Sequence, residues 1–129
     1  MSEFIPVSAA AQMTADYRKS REQLLKPEFQ GRNILCICET FEKAQVQTLL
    51  DKSDCAGIRV YYGMDESAKV HAILCAVDED DADILPALSN AAGRGHHDSG
   101  TAGVGDYTLE NGQRCPEECP PPSDLNGGV

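Results

Sequence analysis

The residues from Gly57 to Asp78, GIRVYYGMDESAKVHAILCAVD, constrain the fold more than any other stretch. Two runs rich in β-branched and aromatic residues flank the polar turn Asp65-Glu66-Ser67-Ala68, which predicts a β-hairpin. An antiparallel sheet therefore stands at the centre of the expected fold. In the first strand Ile58, Val60 and Tyr62 share one face and Arg59 and Tyr61 the other, the pattern of a half-buried strand. In the second, Val70, Ala72, Leu74 and Ala76 line one face and His71, Ile73, Cys75 and Val77 the other. Both of its faces are largely apolar, so both need cover. An even-length turn sets His71 opposite Tyr62; an odd-length one shifts that register.

Upstream of the hairpin, Phe4, Ile5 and Val7 form a short apolar arm around Pro6. Ser8 is the expected N-cap of a helix over about 8–25, with Ala10, Met13, Tyr17 and Leu24 at helical spacing and Pro27 as its stop. The run Ile34 to Cys38 reads as a strand over about 33–38 that extends the hairpin. Thr40 is placed to cap a second helix over about 41–52, with Phe41, Val46, Leu49 and Leu50 turned inward. Residues 84–92 suggest a short helix interrupted near Pro86. Residues 93–129 carry eight Gly and four Pro in 37 positions, a share that argues for irregular chain, and only Tyr107–Glu110 reads there as a strand. The expected class is α+β: one domain over 1–92 with an N-terminal arm, then an irregular tail over 93–129.

With 129 residues the chain is long enough to build a core without disulfides or metal. Its net charge of −10 disfavours contact with phosphate backbones and anionic lipid, so neither nucleic acid nor membrane is an expected partner. No apolar run approaches a membrane span, and the start has neither a basic nor an apolar signal region, so the expected compartment is the cytoplasm. The charge is uneven: residues 1–32 hold five basic and four acidic side chains, residues 33–92 four and eleven. The basic cluster Arg18, Lys19, Arg21, Lys26 and Arg32 reads either as a solvated helix face or as a surface that docks on an acidic patch, such as the turn 78–83 of another copy.

Six cysteines invite a metal or disulfide reading. The C-x-C pair Cys36/Cys38 and the C-x3-C pair Cys115/Cys119 lack the spacing of a zinc knuckle, which needs two thiolates from one turn on one ion. Cys55 and Cys75 read as small buried hydrophobes. Cys115 and Cys119 are open to a structural bridge or to free thiols, with free thiols the expected state; Glu117 and Glu118 work against a low-pKa redox thiol. His96-His97-Asp98 reads as a polar loop, and Asp78, Asp80, Asp81 and Asp83 as an acidic turn without the glycine and distant glutamate of a calcium loop. No nucleophile elbow, zinc-protease helix, P-loop or dinucleotide fingerprint is present, so an enzyme is not expected.

Met13-Thr14-x-x-Tyr17-Arg18, Gly57-Ile58-Arg59-Val60-Tyr61-Tyr62-Gly63, Ala76-Val77-Asp78 and Cys115-Pro116-x-x-Cys119 follow in that order. The series resembles a group of small uncharacterised bacterial proteins that share a G-I-R-x-Y hairpin and a C-terminal Cys-Pro segment. The Gly-rich stretch 90–105 departs from the pattern. The resemblance carries no known activity and no functional residue. It implies that the arginine, the tyrosines and the Cys-Pro segment serve a common architecture.

The sequence reading is thus a non-enzymatic structural protein that associates with other copies of itself, as a homo-oligomer or filament. Phe4, Ile5, Val7, Arg18, Arg21, Cys115 and Cys119 are the expected contact residues, and no cofactor is expected. The alternative is a small ligand- or metal-binding module that uses His71, Tyr62 and the tail cysteines.

Overall fold

The computed structural model describes residues 2–86 and 105–127. The expected break near Pro86 and the His96-His97-Asp98 loop fall wholly or partly outside them. The element order is α1 (Val7–Ser20), β1 (Cys38–Thr40), α2 (Lys43–Leu50), β2 (Gly57–Met64), β3 (Val70–Val77) and β4 (Gln113–Cys115), with a 3-10 turn at Pro27–Phe29. Among the described residues two helices and two antiparallel strand pairs, β2 with β3 and β1 with β4, make a small α+β fold, as expected. The chain gathers into two compact units. One comprises Met1–Thr40, Met64–His71 and Gln113–Val129; the other comprises Phe41–Gly63 and Ala72–Gly112.

The second unit contains the apolar core. Leu49, Leu74 and Ala76 are its buried centre, and Phe41, Val46, Cys55, Ile58, Ile84 and Leu109 pack against it. The two-sided character of β3 is observed: Leu74, Cys75, Ala76 and Val77 are buried in succession. Leu109 exchanges two 2.9 Å backbone hydrogen bonds with Leu74, which places part of the expected 107–110 strand as a single antiparallel bridge. The Ile84 amide donates to Ala76 at 2.9 Å, so residue 84 lies along β3 rather than in the expected helix. Helix α2 supplies Leu49 and Val46 as expected, but Leu50 is exposed. Its N-cap is Glu42, without a side-chain cap, rather than Thr40. Val60, expected inward, is 44% exposed, and Tyr62 is 76% exposed. Alternation along β2 assigns a face; here that face is only partly covered. Burial of side chains such as Leu49 and Leu74 contributes on the order of 1.5–3 kcal/mol each.

The first unit is held differently. Residues 33–37 are not a strand: Asn33 sits at φ 56°, a left-handed conformation that interrupts extended chain. The strand starts at Cys38 and pairs with the tail, Cys38 opposite Cys115, Glu39 opposite Arg114 and Thr40 opposite Gln113. The expected link between 33–38 and the hairpin survives as one bond, Val70 N to Ile34 O at 2.8 Å. The hairpin turn is organised by Asp65, whose Oδ1 accepts from the amides of Ser67 (2.8 Å) and Lys69 (3.0 Å). Helix α1 begins at Val7 with Pro6 as N-cap, where Ser8 was expected, and ends at Ser20 rather than about 25. The tail is partly built: besides β4, Ser123 to Gly127 form a turn closed by Gly127 N to Ser123 O (3.1 Å) and by Asn126 Nδ2 to Pro121 O (2.8 Å). The Cys115–Pro116 and Pro116–Glu117 peptide bonds are cis.

Candidate interaction surface

The arm and α1 present apolar side chains to solvent. Phe4 is fully exposed, and Ile5, Val7, Met13 and Leu24 are also exposed. No residue of α1 is buried. The side of α1 with least exposure carries Ala10, Thr14, Tyr17 and Arg18, continued by the C-cap Arg21. Met13, expected inward by its spacing, lies outside it, and Leu24, also expected inward, lies beyond the end of the helix and is exposed. Polar bonds attach this helix to its own unit. Tyr17 Oη donates to Cys36 O at 2.6 Å, and burial pushes its phenol pKa up. Arg18 Nη1 donates to Leu125 O at 2.7 Å. Arg21 donates to Leu35 O and lies 3.3 Å from the Glu22 carboxylate, its side chain only 12% exposed. Arg18 and Arg21, expected at an intermolecular contact, thus have intrachain partners.

A second device that the sequence did not announce is Arg114. Its Nη2 donates to the carbonyls of Val70 (2.9 Å), Asn33 (3.2 Å) and Ile34 (3.2 Å), and its Nε adds a bond to Val70 O at 3.2 Å. One planar guanidinium thereby gathers three backbone oxygens from two segments. An arginine in a Gly- and Pro-rich tail carries no periodic signal that would mark it.

The tail cysteines are bridged, Cys115 to Cys119, where free thiols were expected. The turn between them is closed by Glu118 N to Arg114 O at 2.9 Å and brings their Cα atoms to 4.5 Å, within bridging range. Cys115 is buried and Cys119 exposed. Cys36, Cys38 and Cys55 are half-buried free thiols and Cys75 is a buried one. The bridge removes both tail thiolates from the ligand set of the alternative metal module. His71 Nε2 lies 2.6 Å from Asp65 Oδ2, so its near partner is the turn carboxylate. Among the described residues no group of three or more His, Cys, Asp or Glu side chains is arranged to hold a metal ion.

In the second unit the acidic turn is internally engaged. Asp78 Oδ1 accepts from the amides of Asp80 (2.9 Å) and Ala82 (3.0 Å). Arg59 pairs with Asp81 and Asp83, each at 2.6 Å, and Tyr61 donates to Asp83 Oδ2 at 2.5 Å. These donors, Tyr61 first, hold the Asp83 carboxyl below its ordinary pKa. The Cys75 thiol, raised by burial, points to Asp83 Oδ1 at 3.5 Å. A pocket of about 110 Å³ lined by Gln45, Thr48, Leu49, Asp106, Thr108 and Leu109 is well below the roughly 300 Å³ at which small-molecule sites begin. Among the described residues no helix is long and apolar enough to cross a membrane. No family model matches the chain, and neither a curated protein nor a solved structure is detectably similar to it.

Proposed function

We propose that this chain is a non-enzymatic interaction protein that associates with copies of itself through its N-terminal arm and the exposed side of α1. The observation that carries the reading is an imbalance in the first unit. Among its described residues the buried hydrophobic ones are Ile34 and Cys115, while Phe4, Ile5, Val7, Met13, Leu24, Met64 and Leu125 are exposed. Single exposed apolar residues are ordinary; an apolar arm continuous with an exposed helix marks a contact surface. An extended arm can add to a sheet edge or fill a groove on a neighbour. A second copy fits because every copy supplies both arm and recipient, which permits a closed dimer or ring or an open filament. Arg18 and Arg21 take no part in this contact, since both are engaged within their own unit. Nor do Cys115 and Cys119, which are bonded to one another.

The test is the double substitution Phe4→Ser with Ile5→Ser in the full chain. Both side chains are exposed, so the melting transition of the monomer is expected to stay put. The mass measured by light scattering is expected to fall to that of one copy. A variant that assembles like the parent overturns the assignment of the arm.

A further inference from the structure

The strand pair β1–β4 places a free thiol directly across from a disulfide. Cys38 is the cross-strand partner of Cys115, and Cys115 is bonded to Cys119. Directly opposed residues of an antiparallel pair project on the same face, with Cβ atoms roughly 4.5–5.5 Å apart. That spacing is within a small adjustment of the roughly 3.5–4.5 Å of a disulfide. Cys115 therefore has two cysteine neighbours, one four residues ahead on its own turn and one across the ladder. Exposure differs across the set: Cys115 is buried, Cys38 half-buried and Cys119 exposed.

We propose that Cys38, Cys115 and Cys119 form a thiol–disulfide exchange site in which Cys115 alternates between its two partners. The Cys38 thiolate attacks Cys115 Sγ, the Cys38–Cys115 bond forms, the Cys115–Cys119 bond breaks, and Cys119 leaves as a thiolate. The proton lost by Cys38 is taken up by Cys119, both through solvent. One disulfide is consumed and one made, so neither oxidant nor reductant is required. One state clips a short local loop and leaves β1 and β4 joined by hydrogen bonds alone. The other joins the two strands covalently and frees a thiol at the surface, next to Pro120-Pro121-Pro122. Cys36, two residues before Cys38, is the poorer nucleophile: its thiol faces Glu39 Oε1 at 3.9 Å, and burial pushes its pKa up, which lowers its thiolate fraction.

Trypsin separates the two states. Cleavage after Arg32, Lys43 and Arg114 releases residues 33–43, which contain Cys36 and Cys38, and residues 115–129, which contain Cys115 and Cys119. The full-length protein is held at pH 8 without added thiol, quenched in acid, alkylated and mapped by mass spectrometry. The expected result is a population in which 33–43 is linked to 115–129, in a fraction independent of protein concentration. Cys36→Ser should retain this linked pair and Cys38→Ser should lose it. A second variant, Cys119→Ser, is treated with oxidised glutathione; its thiol count in denaturant should fall from five to three as Cys38 and Cys115 join. The proposal is overturned if the linked pair never forms in the parent chain, if it survives Cys38→Ser, or if Cys119→Ser keeps five thiols or gains glutathione instead.

Discussion

The Arg114 guanidinium lies 2.9 Å from the carbonyl oxygen of Val70, the first residue of β3. The same group reaches Asn33 and Ile34, so one tail residue closes the hydrogen-bonding of two distant segments. Net hydrogen bonds to charged groups contribute roughly 1.5–3 kcal/mol, and removal of the donor leaves half-buried carbonyls short of a partner. Arg114→Met is expected to destabilise the chain by about 2 kcal/mol in urea unfolding. Arg114→Lys should recover part of this, because an ammonium lacks the planar fork. A midpoint unchanged in both variants would count against the clamp.

Core position and surface position on the hairpin should separate cleanly. Leu74 is 9% exposed and centres the apolar cluster, so Leu74→Ala is expected to cost roughly 2–5 kcal/mol. Val60 is 44% exposed, and Val60→Asp should cost far less, despite its place on the face that alternation assigns inward. Equal losses in the two variants would contradict the burial described for β2 and β3.

Acid should act on the hairpin turn through Asp65. Its hydrogen bond with His71, then those from the Lys69 and Ser67 amides, lower its carboxyl from 3.8 to about 2. A folded-state pKa below the unfolded one means that the contribution is complete above pH 4 and is lost as pH falls toward 2. Asp65→Asn should flatten this part of the acid unfolding profile. An NMR titration of the Asp65 side chain with a midpoint near 4 would remove the basis of the claim.

The C-terminal turn should depend on Gly127. Its φ is +67°, and a Cβ there would stand 2.6 Å from Arg18 Nη2, the arginine that bonds Leu125. Gly127→Ala is expected to displace Arg18 and to speed amide exchange across residues 123–127. Exchange rates equal to those of the parent would show that the turn does not need the contact.

Thiol titration without reductant should find four reactive groups in denaturant, since two of the six cysteines are bridged. Under native conditions Cys75, at 1% exposure, should be silent. Six groups in denaturant would mean that the Cys115–Cys119 bond is absent.

The hairpin was legible because its residues alternate, and the apolar stretch of β3 was legible because it does not. Leu49 and Val46 were legible from helical spacing beside that strand. Periodicity failed at α1, where the least exposed side is made of Ala10, Thr14, Tyr17 and Arg18. There the attachments are hydrogen bonds to carbonyls, so apolar spacing pointed to Met13 and Leu24, which are exposed. It failed again at 33–37, where composition favoured a strand but Asn33 turns left-handed. Arg114 and the turn 123–127 are invisible to pattern, because each depends on backbone oxygens brought close only in the folded chain. The arm was readable as apolar, but only the structure reports that its own chain leaves Phe4 uncovered.

The most direct test of the self-association reading is the mass of the unmodified full chain in solution, measured by light scattering over a wide concentration range. The expected result is a mass well above the 13.9 kDa of one copy, falling on dilution or settling at a whole multiple. A mass of one copy at every concentration, including the highest attainable, would contradict it.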